Sequence, residues 1–547
     1  MAGKDLFYVH IFTFYRFMRA TSLLIRSLCM VHFLLWPQIA QASHAPTSQS
    51  LMSWPTSRLF PHFCCLNSLK VITLTKLPAD QRTLFVSLQG LLNRQQTRIY
   101  VREDEFGGSS DFWLTQLHVP YSNVADPFSL FTTYHDEISG LIVTDPQQPA
   151  TINLATTLAG QRNALIVSPH LLQQRMRLFH LPVLMDLRLF HFSSAFMVYQ
   201  YAYKHYWSLS NHHLLVGLSP WEAGHLRDYA IATHAMVIWL DPGDLLQRIL
   251  LHSFFAAMPA GSSYLGWWKN EPAGIRSASS YGIATYATDL ASNLTVLGAT
   301  SLVRQRFFLS SPLRLQRKIY ISLFMSDGDN IQIDQHRLVQ KWNDPERGRI
   351  PLGWTLSPAL VDLAPVILNY YRETATINDD LVAGPSGMGY LYPHLLTNHA
   401  LTTYMLQSRW YLAEAGFSIA TIWENIATFP TSVGQAYAHY TDLQGITVQN
   451  TISISQSTPI IYNHKLAAYP LQGAYLASAT EVEALIQQVA TTDTNLAPHF
   501  LAIQVDLNKP GITPTSLYRV LQHFRSNDQI VFVRPSQFFQ LFKASLL

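Results

Sequence analysis

Short apolar runs alternate with longer amphipathic stretches along most of the chain, and this alternation predicts an α/β protein. The first such runs are a strand at 70–75, a helix at 84–93, and strands at 98–102, 140–144 and 164–168. Short strands separated by helices are typical of parallel sheets covered by helices. The pattern predicts a first small α/β domain over residues 69–195.

A second block of the same style covers residues 196–310. It contains a strand at 213–218, a helix at 222–234 and a strand at 235–240. The block ends in a polar, aromatic stretch rather than in another apolar run. It predicts a second small α/β domain.

The C-terminal part, residues 311–547, holds eight apolar runs with helical patterns between most of them. The runs are 318–325, 350–356, 380–384, 418–423, 445–448, 459–462, 500–505 and 529–533. Eight strand–helix units in a segment of this length are typical of a (β/α) barrel, which has ~250 residues. No crossover helix fits between 448 and 459, so the predicted C-terminal domain is a distorted (β/α)-barrel-like one.

The N-terminus predicts export. Three arginines, Arg16, Arg19 and Arg26, precede an apolar run at 27–36, and Ala40 and Ala42 follow in a small-residue pattern. This order is typical of a signal peptide over residues 1–42, and the apolar run is shorter than the ~20 residues of a membrane-spanning helix. A buried N-terminal helix is the alternative. Residues 43–68, rich in Ser, Thr and Pro, predict a flexible leader.

Composition narrows the ligands that this chain can recognise. Hydrophobic residues make up 48%, aromatic residues 12% and charged residues only 13%, which favours an exported protein acting on neutral, ring-shaped ligands. Loss of 1–42 removes four basic and one acidic residue, so the formal net charge falls from +3 to zero. A neutral chain without Lys/Arg clusters lacks the positively charged surface that binds nucleic acid. Cys64 and Cys65 are neighbours, which excludes a disulfide framework.

Several carboxylates close apolar strands, where parallel-sheet enzymes keep their catalytic groups. Asp327 and Asp329 flank Gly328 after the run at 318–325, and Glu424 and Asp506 end two later runs. Paired carboxylates can divide acid and base roles or hold a hard cation. Each can equally be a polar turn or a helix cap.

Aromatic residues near these acids predict a surface on which sugar rings stack. Trp267 and Trp268 lie beside a further acid, Glu271, although two Trp can also pack a domain interface. The loop at 387–393 places Tyr390 and Tyr392 on one face. The remaining candidates for substrate contact are Asn330, Trp354, Gly387, Gly389 and Asp506. The 22 His residues show no metal-ligand spacing, so the sequence predicts neither a metal site nor a cofactor.

Several long motifs resemble the GxGYxYP family, exported bacterial proteins proposed to be glycoside hydrolases. They are Gly387-Met-Gly-Tyr-Leu-Tyr-Pro393, Met325-Ser-Asp-Gly-Asp-Asn330, Gly353-Trp-Thr-Leu-Ser-Pro358, Ser87-Leu-Gln-Gly-Leu-Leu-Asn-Arg94 and Gly266-Trp-Trp268 with Glu271. The likeness runs from about residue 70 to the C-terminus. It implies α/β N-terminal domains, a barrel-like catalytic domain and a carbohydrate substrate, with the family's acidic motif residues at Asp327, Asp329 and Glu271.

The combined prediction is an exported, periplasmic or extracellular glycoside hydrolase with paired carboxylates. One is Asp327 or Asp329, and the other is Glu424 or Glu271. A metal-dependent polysaccharide deacetylase and a non-catalytic glycan-binding protein are the alternatives. The sequence leaves the sugar, the linkage, the stereochemistry and the oligomeric state open.

Overall fold

The computed structural model describes residues 54–546, except for 104–108, 304–312, 329, 425, 427, 451–459, 493 and 496. The predicted signal peptide therefore lies outside the described residues. The strands are β1 (Leu69–Thr73), β2 (Ile99–Arg102), β3 (Tyr121–Asn123), β4 (Gly140–Val143), β5 (Ala164–Val167), β6 (Val183–Asp186), β7 (Leu214–Gly217), β8 (Met236–Ile238), β9 (Ser263–Gly266), β10 (Ala284–Tyr286), β11 (Ile319–Ser326), β12 (Leu352–Leu356), β13 (Asp379–Ala383), β14 (Ile419–Glu424), β15 (Gly445–Asn450), β16 (Ile460–Tyr462), β17 (Leu466–Pro470), β18 (Gly473–Leu476), β19 (His499–Asp506) and β20 (Ile530–Phe532).

Helices separate most of these strands, as the alternation in the sequence predicts. They span Ala79–Asn93, Ser109–Gln116, Ser129–Thr133, Thr151–Arg162, Pro169–Phe179, Ala195–Tyr206, Arg227–Ala232, Leu245–Ala256, Glu271–Ser279, Leu294–Leu297, Ile331–Gln335, Arg337–Trp342, Leu360–Leu363, Pro365–Thr374, Asn398–Ala415, Thr431–Tyr440, Ala479–Val489, Pro514–His523 and Pro535–Ser545. Local capping explains where several begin. Thr513 accepts a hydrogen bond from the Ser516 N–H, and Pro514 occupies the first helical position, where its missing N–H costs nothing.

Three small parallel sheets form the N-terminal half. Their strand orders are β2-β1-β3, β5-β4-β6 and β10-β9-β7-β8. All residues of β4, β5 and β7 are buried, as expected for strands covered by helices on both faces. The small α/β N-terminal domains are thus confirmed. The stretch 69–195, predicted as one domain, contains two separate sheets.

The C-terminal half is built on one large sheet in the order β16-β17-β15-β14-β13-β12-β11-β19-β18, with β20 pairing to β11. All pairs are parallel except that of β16 with β17. The sequence patterns do not reveal β17 and β18, which form one nearly continuous extended segment. Leu471 N–H donates to Val448 of β15, and Gln472 N–H donates to Ala502 of β19.

β17 pairs with β15 and β18 pairs with β19, which lie at opposite ends of the series of parallel strands. The sheet therefore curves back on itself. A complete barrel stays a prediction. The distortion predicted between 448 and 459, where no crossover helix fits, falls mostly on 451–459, outside the described residues.

Residues 54–68, predicted as part of a flexible leader, are packed against the protein body. Phe60 is fully buried, and Arg58 forms a 3.2 Å ion pair with Asp362. Trp54 stacks on His213 at 5.6 Å between ring centroids. The Ser/Pro/Thr content did not predict this ordering because apolar side chains two or three residues apart bury themselves without any regular element.

Two strand ends and a neighbouring loop meet where the predicted site lies. Ser326 of β11 pairs with Asp506 of β19, so the residues that follow both strands emerge side by side. The loop after β13 joins this region to the third small sheet, since Tyr390 and Thr285 of β10 exchange backbone hydrogen bonds of 2.8 and 2.9 Å. The large sheet and the third small sheet therefore border a common junction.

Candidate functional site

Asp327 directly follows β11 in a left-handed backbone conformation, with φ of 64°. One carboxylate oxygen accepts a hydrogen bond from the Tyr475 hydroxyl at 3.1 Å, and the other accepts one from the Asn508 side-chain amide. The Asn330 N–H closes the turn by donating to the Asp327 carbonyl at 3.2 Å. The carboxylate is therefore fixed at the end of a buried strand.

Gly328 is required in this turn because a Cβ atom there would lie 2.1 Å from the Thr355 carbonyl oxygen. Replacement by alanine must displace one of two backbone segments, so we expect Gly328→Ala to lower the free energy of unfolding by ~1–3 kcal/mol. Urea titration measures this loss. Gly511→Ala is the matched control, since no atom lies within 4 Å of its Cβ position. Equal stability of the two variants would contradict the packing argument.

Three carboxylates converge at this junction. Burial, followed by the charges of Asp506 and Glu271, raises the pKa of Asp327 to about 6, while Tyr475 and Asn508 oppose the rise. Asp506 accepts the Asn508 N–H at 2.9 Å and lies 3.6 Å from the Lys509 ammonium. The structure thus brings together acids separated by more than 200 residues in the chain.

Glu271 reaches this junction from the third small sheet. It is the first residue of helix Glu271–Ser279, which begins after Asn270 accepts the Ala273 N–H at 3.3 Å. Its carboxylate accepts a hydrogen bond from the Tyr390 hydroxyl at 3.3 Å. Burial raises the pKa of Glu271.

Glu424 also closes a strand, but its carboxylate is already engaged. It is 1% exposed and accepts the His394 backbone N–H at 2.9 Å, and its other oxygen contacts the His394 ring. Burial raises the pKa of Glu424 to about 8 and lowers that of His394. Both oxygens of Glu424 are therefore engaged by His394, and a direct contact of Glu424 with substrate stays a prediction.

The buried Glu424 predicts a loss of stability as pH rises. Its folded-state pKa of about 8 lies above the ordinary value of 4.5. Between these values the folded protein holds a proton that the unfolded chain has released. Its stabilising contribution is therefore complete below 4.5 and is lost as pH rises through 8, at a cost of up to ~5 kcal/mol.

Glu424→Gln keeps a neutral group of the same shape and lacks this titration. We expect urea titrations at pH 5 and pH 9 to show a larger loss of stability for the wild-type protein than for the variant. Parallel losses in both proteins would contradict the assignment.

Aromatic rings line the same junction. The Trp423 ring lies 5.2 Å from the Tyr475 ring and 6.1 Å from the Tyr390 ring, between centroids. Tyr392 lies 5.9 Å from Tyr390 but is only 2% exposed, so its ring belongs to the core, and the Tyr390 ring is also largely buried. Trp267 follows β9, on the same sheet edge as Glu271, and is half-buried.

Two predicted substrate-binding tryptophans belong to the core instead. Trp354 is fully buried, and its indole N–H donates to Asp379 at 2.8 Å. Trp268 is 4% exposed and stacks on Tyr264 at 3.7 Å between centroids. Neither ring presents a free face to a sugar. Apolar strand ends bury their rings wherever a second layer covers them, which the local pattern does not reveal.

The two motif glycines serve protein packing. A Cβ atom at Gly389 would lie 2.6 Å from the Tyr286 ring, and one at Gly387 would lie 2.8 Å from the Ser408 hydroxyl. This loop therefore approaches protein atoms closely, and its contact with a ligand stays a prediction. Asp329 lies outside the described residues.

The sequence analysis missed three residues of the site. Asn508 follows Asp506 by two positions, and His394 follows the Tyr390/Tyr392 motif by two, so proximity to a motif could have indicated both. Tyr475 had no such signal because its strand was not recognised. In the described part of the chain, no group of three or more His, Cys, Asp or Glu side chains could hold a metal ion. Among the same residues, no helix is long and apolar enough to cross a membrane.

Family models match almost the whole described chain. The GxGYxYP_N first domain matches 68–136, the GxGYxYP_N second domain 138–209, the GxGYxYP third domain 212–299, and the GxGYxYP putative glycoside hydrolase C-terminal domain 317–543. No curated protein matches the chain.

Among solved structures, the chain resembles a putative hydrolase from Bacteroides thetaiotaomicron VPI-5482, with a TM-score of 0.79 and 24% identity over 91% of this chain and 99% of that one. This likeness shows a shared fold. Puue allantoinase gives a TM-score of 0.32 at 11% identity, over 42% of this chain and 92% of its own. A probable polysaccharide deacetylase from Pseudomonas aeruginosa PAO1 gives 0.31 at 10% identity, over the same shares.

Proposed function

The chain belongs to the GxGYxYP family, and on that premise we propose that it is an exported glycoside hydrolase that cleaves a poly- or oligosaccharide. The observation that carries the proposal is that Asp327 and Glu271 lie close enough for the charge of Glu271 to raise the pKa of Asp327. Each carboxylate has a raised pKa, and each accepts its hydrogen bonds from neutral groups rather than from a cation. Carboxylates that exchange protons near neutral pH are what glycosidic cleavage requires.

The hydrogen bonds support a division of roles between the two acids. Asp327 accepts from Tyr475 and Asn508, one on each oxygen, which stabilises its ionised form. It acts as the nucleophile or as the base that activates water. Glu271 accepts one phenol hydrogen bond, and burial dominates the shift of its pKa. It acts as the acid that protonates the leaving oxygen.

The aromatic wall supplies the sugar-binding surface. The half-buried rings of Trp423 and Tyr475 lie 5.2 Å apart beside the two acids, and the largely buried Tyr390 ring contacts Trp423. Sugar C–H faces pack on such rings, while phenol and carboxylate oxygens bond the hydroxyl groups. The N-terminal segment 1–42 supports export.

Incubation of the purified protein with a panel of polysaccharides, with products identified by mass, tests the proposal. We expect shorter chains, each cleavage adding the mass of one water molecule. Release of acetate from chains of unchanged length, lost on chelation, would instead show a metal-dependent deacetylase. Binding without any product would show a glycan-binding protein.

A further inference from the structure

We infer that Tyr475 is a positioning residue, which holds the Asp327 carboxylate in its reactive orientation and keeps it ionised. The inference rests on the proposed function, which gives Asp327 a reaction to perform. Its structural basis is the hydrogen bond from the Tyr475 hydroxyl to the Oδ1 atom of Asp327, with a distance of 3.1 Å.

The backbone around Tyr475 departs from regular strand geometry in a way that directs this side chain. The pairing of β18 with β19 shifts register between Gly473 and Leu476, so the strand carries an irregularity at this point. Tyr475 lies within it and has a left-handed φ of 52°. Such irregularities turn a side chain away from the face that strict alternation would give it.

Strain is present on both sides of the hydrogen bond. Asp327 has a φ of 64°, so donor and acceptor both occupy a region that side chains other than glycine rarely adopt. Asp adopts this region more readily than most residues, whereas an aromatic residue such as Tyr475 rarely does, so the surrounding structure holds the Tyr475 backbone in place.

The ring and the hydroxyl of Tyr475 have separate partners. The ring packs against Trp423, with 5.2 Å between centroids, and therefore belongs to the aromatic wall. The hydroxyl donates to Asp327 at 3.1 Å. Loss of the hydroxyl thus leaves the wall in place, which makes the two contributions separable by experiment.

Charged and polar neighbours of both kinds act on Asp327. Burial and the carboxylates of Asp506 and Glu271 raise its pKa, and the Lys509 ammonium lies 3.6 Å from Asp506. Among the described residues, the hydrogen bonds from Tyr475 and Asn508 favour the ionised carboxylate. Hydrogen bonds to a charged form stabilise that form.

The test is Tyr475→Phe, which retains the ring. We expect the ionisation midpoint of Asp327 to rise by about one pH unit, as the loss of one hydrogen bond to a carboxylate implies. Carboxyl NMR of isotopically labelled aspartate measures this midpoint without any substrate, and the signal missing from Asp327→Asn identifies the resonance. Tyr370→Phe is the control because its hydroxyl bonds Asn343 instead, at 2.9 Å.

On a polysaccharide that the wild-type protein cleaves, we expect Tyr475→Phe to lower kcat about tenfold or more with little change in KM. The acid limb of its pH profile should move upward together with the NMR midpoint. Asn508→Ala, which removes the bond to the other oxygen, should shift the midpoint in the same direction.

An unchanged midpoint in Tyr475→Phe would overturn the inference whether or not the protein cleaves a glycan. A shifted midpoint without any cleavage would keep the positioning role and refute the glycosidase proposal. The two failures are therefore distinguishable.

Discussion

Asp327→Asn is expected to lower kcat on the cleaved polysaccharide by about a hundred- to ten-thousandfold, with KM changed much less. The amide keeps the size of the carboxyl but cannot carry the negative charge that attacks or activates water. The loss corresponds to ~3–5 kcal/mol of transition-state stabilisation. Steady-state kinetics with reducing-end detection measures it, and calorimetric titration with the same glycan checks that binding persists.

The matched control is Asp136→Asn, at a fully exposed carboxylate far from the site along the chain. It should retain wild-type kinetics. Full activity of Asp327→Asn would remove this residue from the mechanism, and equal losses in both variants would indicate a general effect on folding.

Glu271→Gln is expected to produce a loss of similar size, but one that depends on the leaving group. Protonation of the departing oxygen matters most when that oxygen is a poor leaving group, as in a natural glycan. An activated aryl glycoside departs without such help. We therefore expect a fall of about a hundredfold or more on the polysaccharide and less than about tenfold on the aryl glycoside.

Asp327→Asn should impair both substrates alike, so the comparison of the two variants separates the two roles. Glu373→Gln, at an exposed position of helix Pro365–Thr374, is the control. If Glu271→Gln lost the same factor on both substrates, Glu271 would not be the proton donor. If the activity of Glu271→Gln still fell at high pH as that of the wild-type protein does, the same conclusion would follow.

Some errors of the sequence analysis share one physical cause. Glu424 ends a strand as predicted, yet it is bonded to His394, which is 30 residues away along the chain. Trp354 is predicted to lie at the end of a strand, yet it is the middle residue of β12 and its indole N–H donates to Asp379 in the core. In both cases the element was correct, while the direction and the partner of the side chain depended on a segment that local patterns do not describe.

Local patterns determine the elements themselves because strand and helix periodicities depend on residues that are close in the chain. The sequence alone therefore indicated the small α/β domains, most strands of the C-terminal sheet, the turn at Asp327 and the strand-end position of Asp506. Tertiary structure decided which acids influence one another, since the charge of Glu271 acts on Asp327 only when the loop after β13 joins the third small sheet through Tyr390 and Thr285. It also decided the place of Tyr475, because a strand irregularity and a left-handed residue are fixed by long-range packing rather than by local preference.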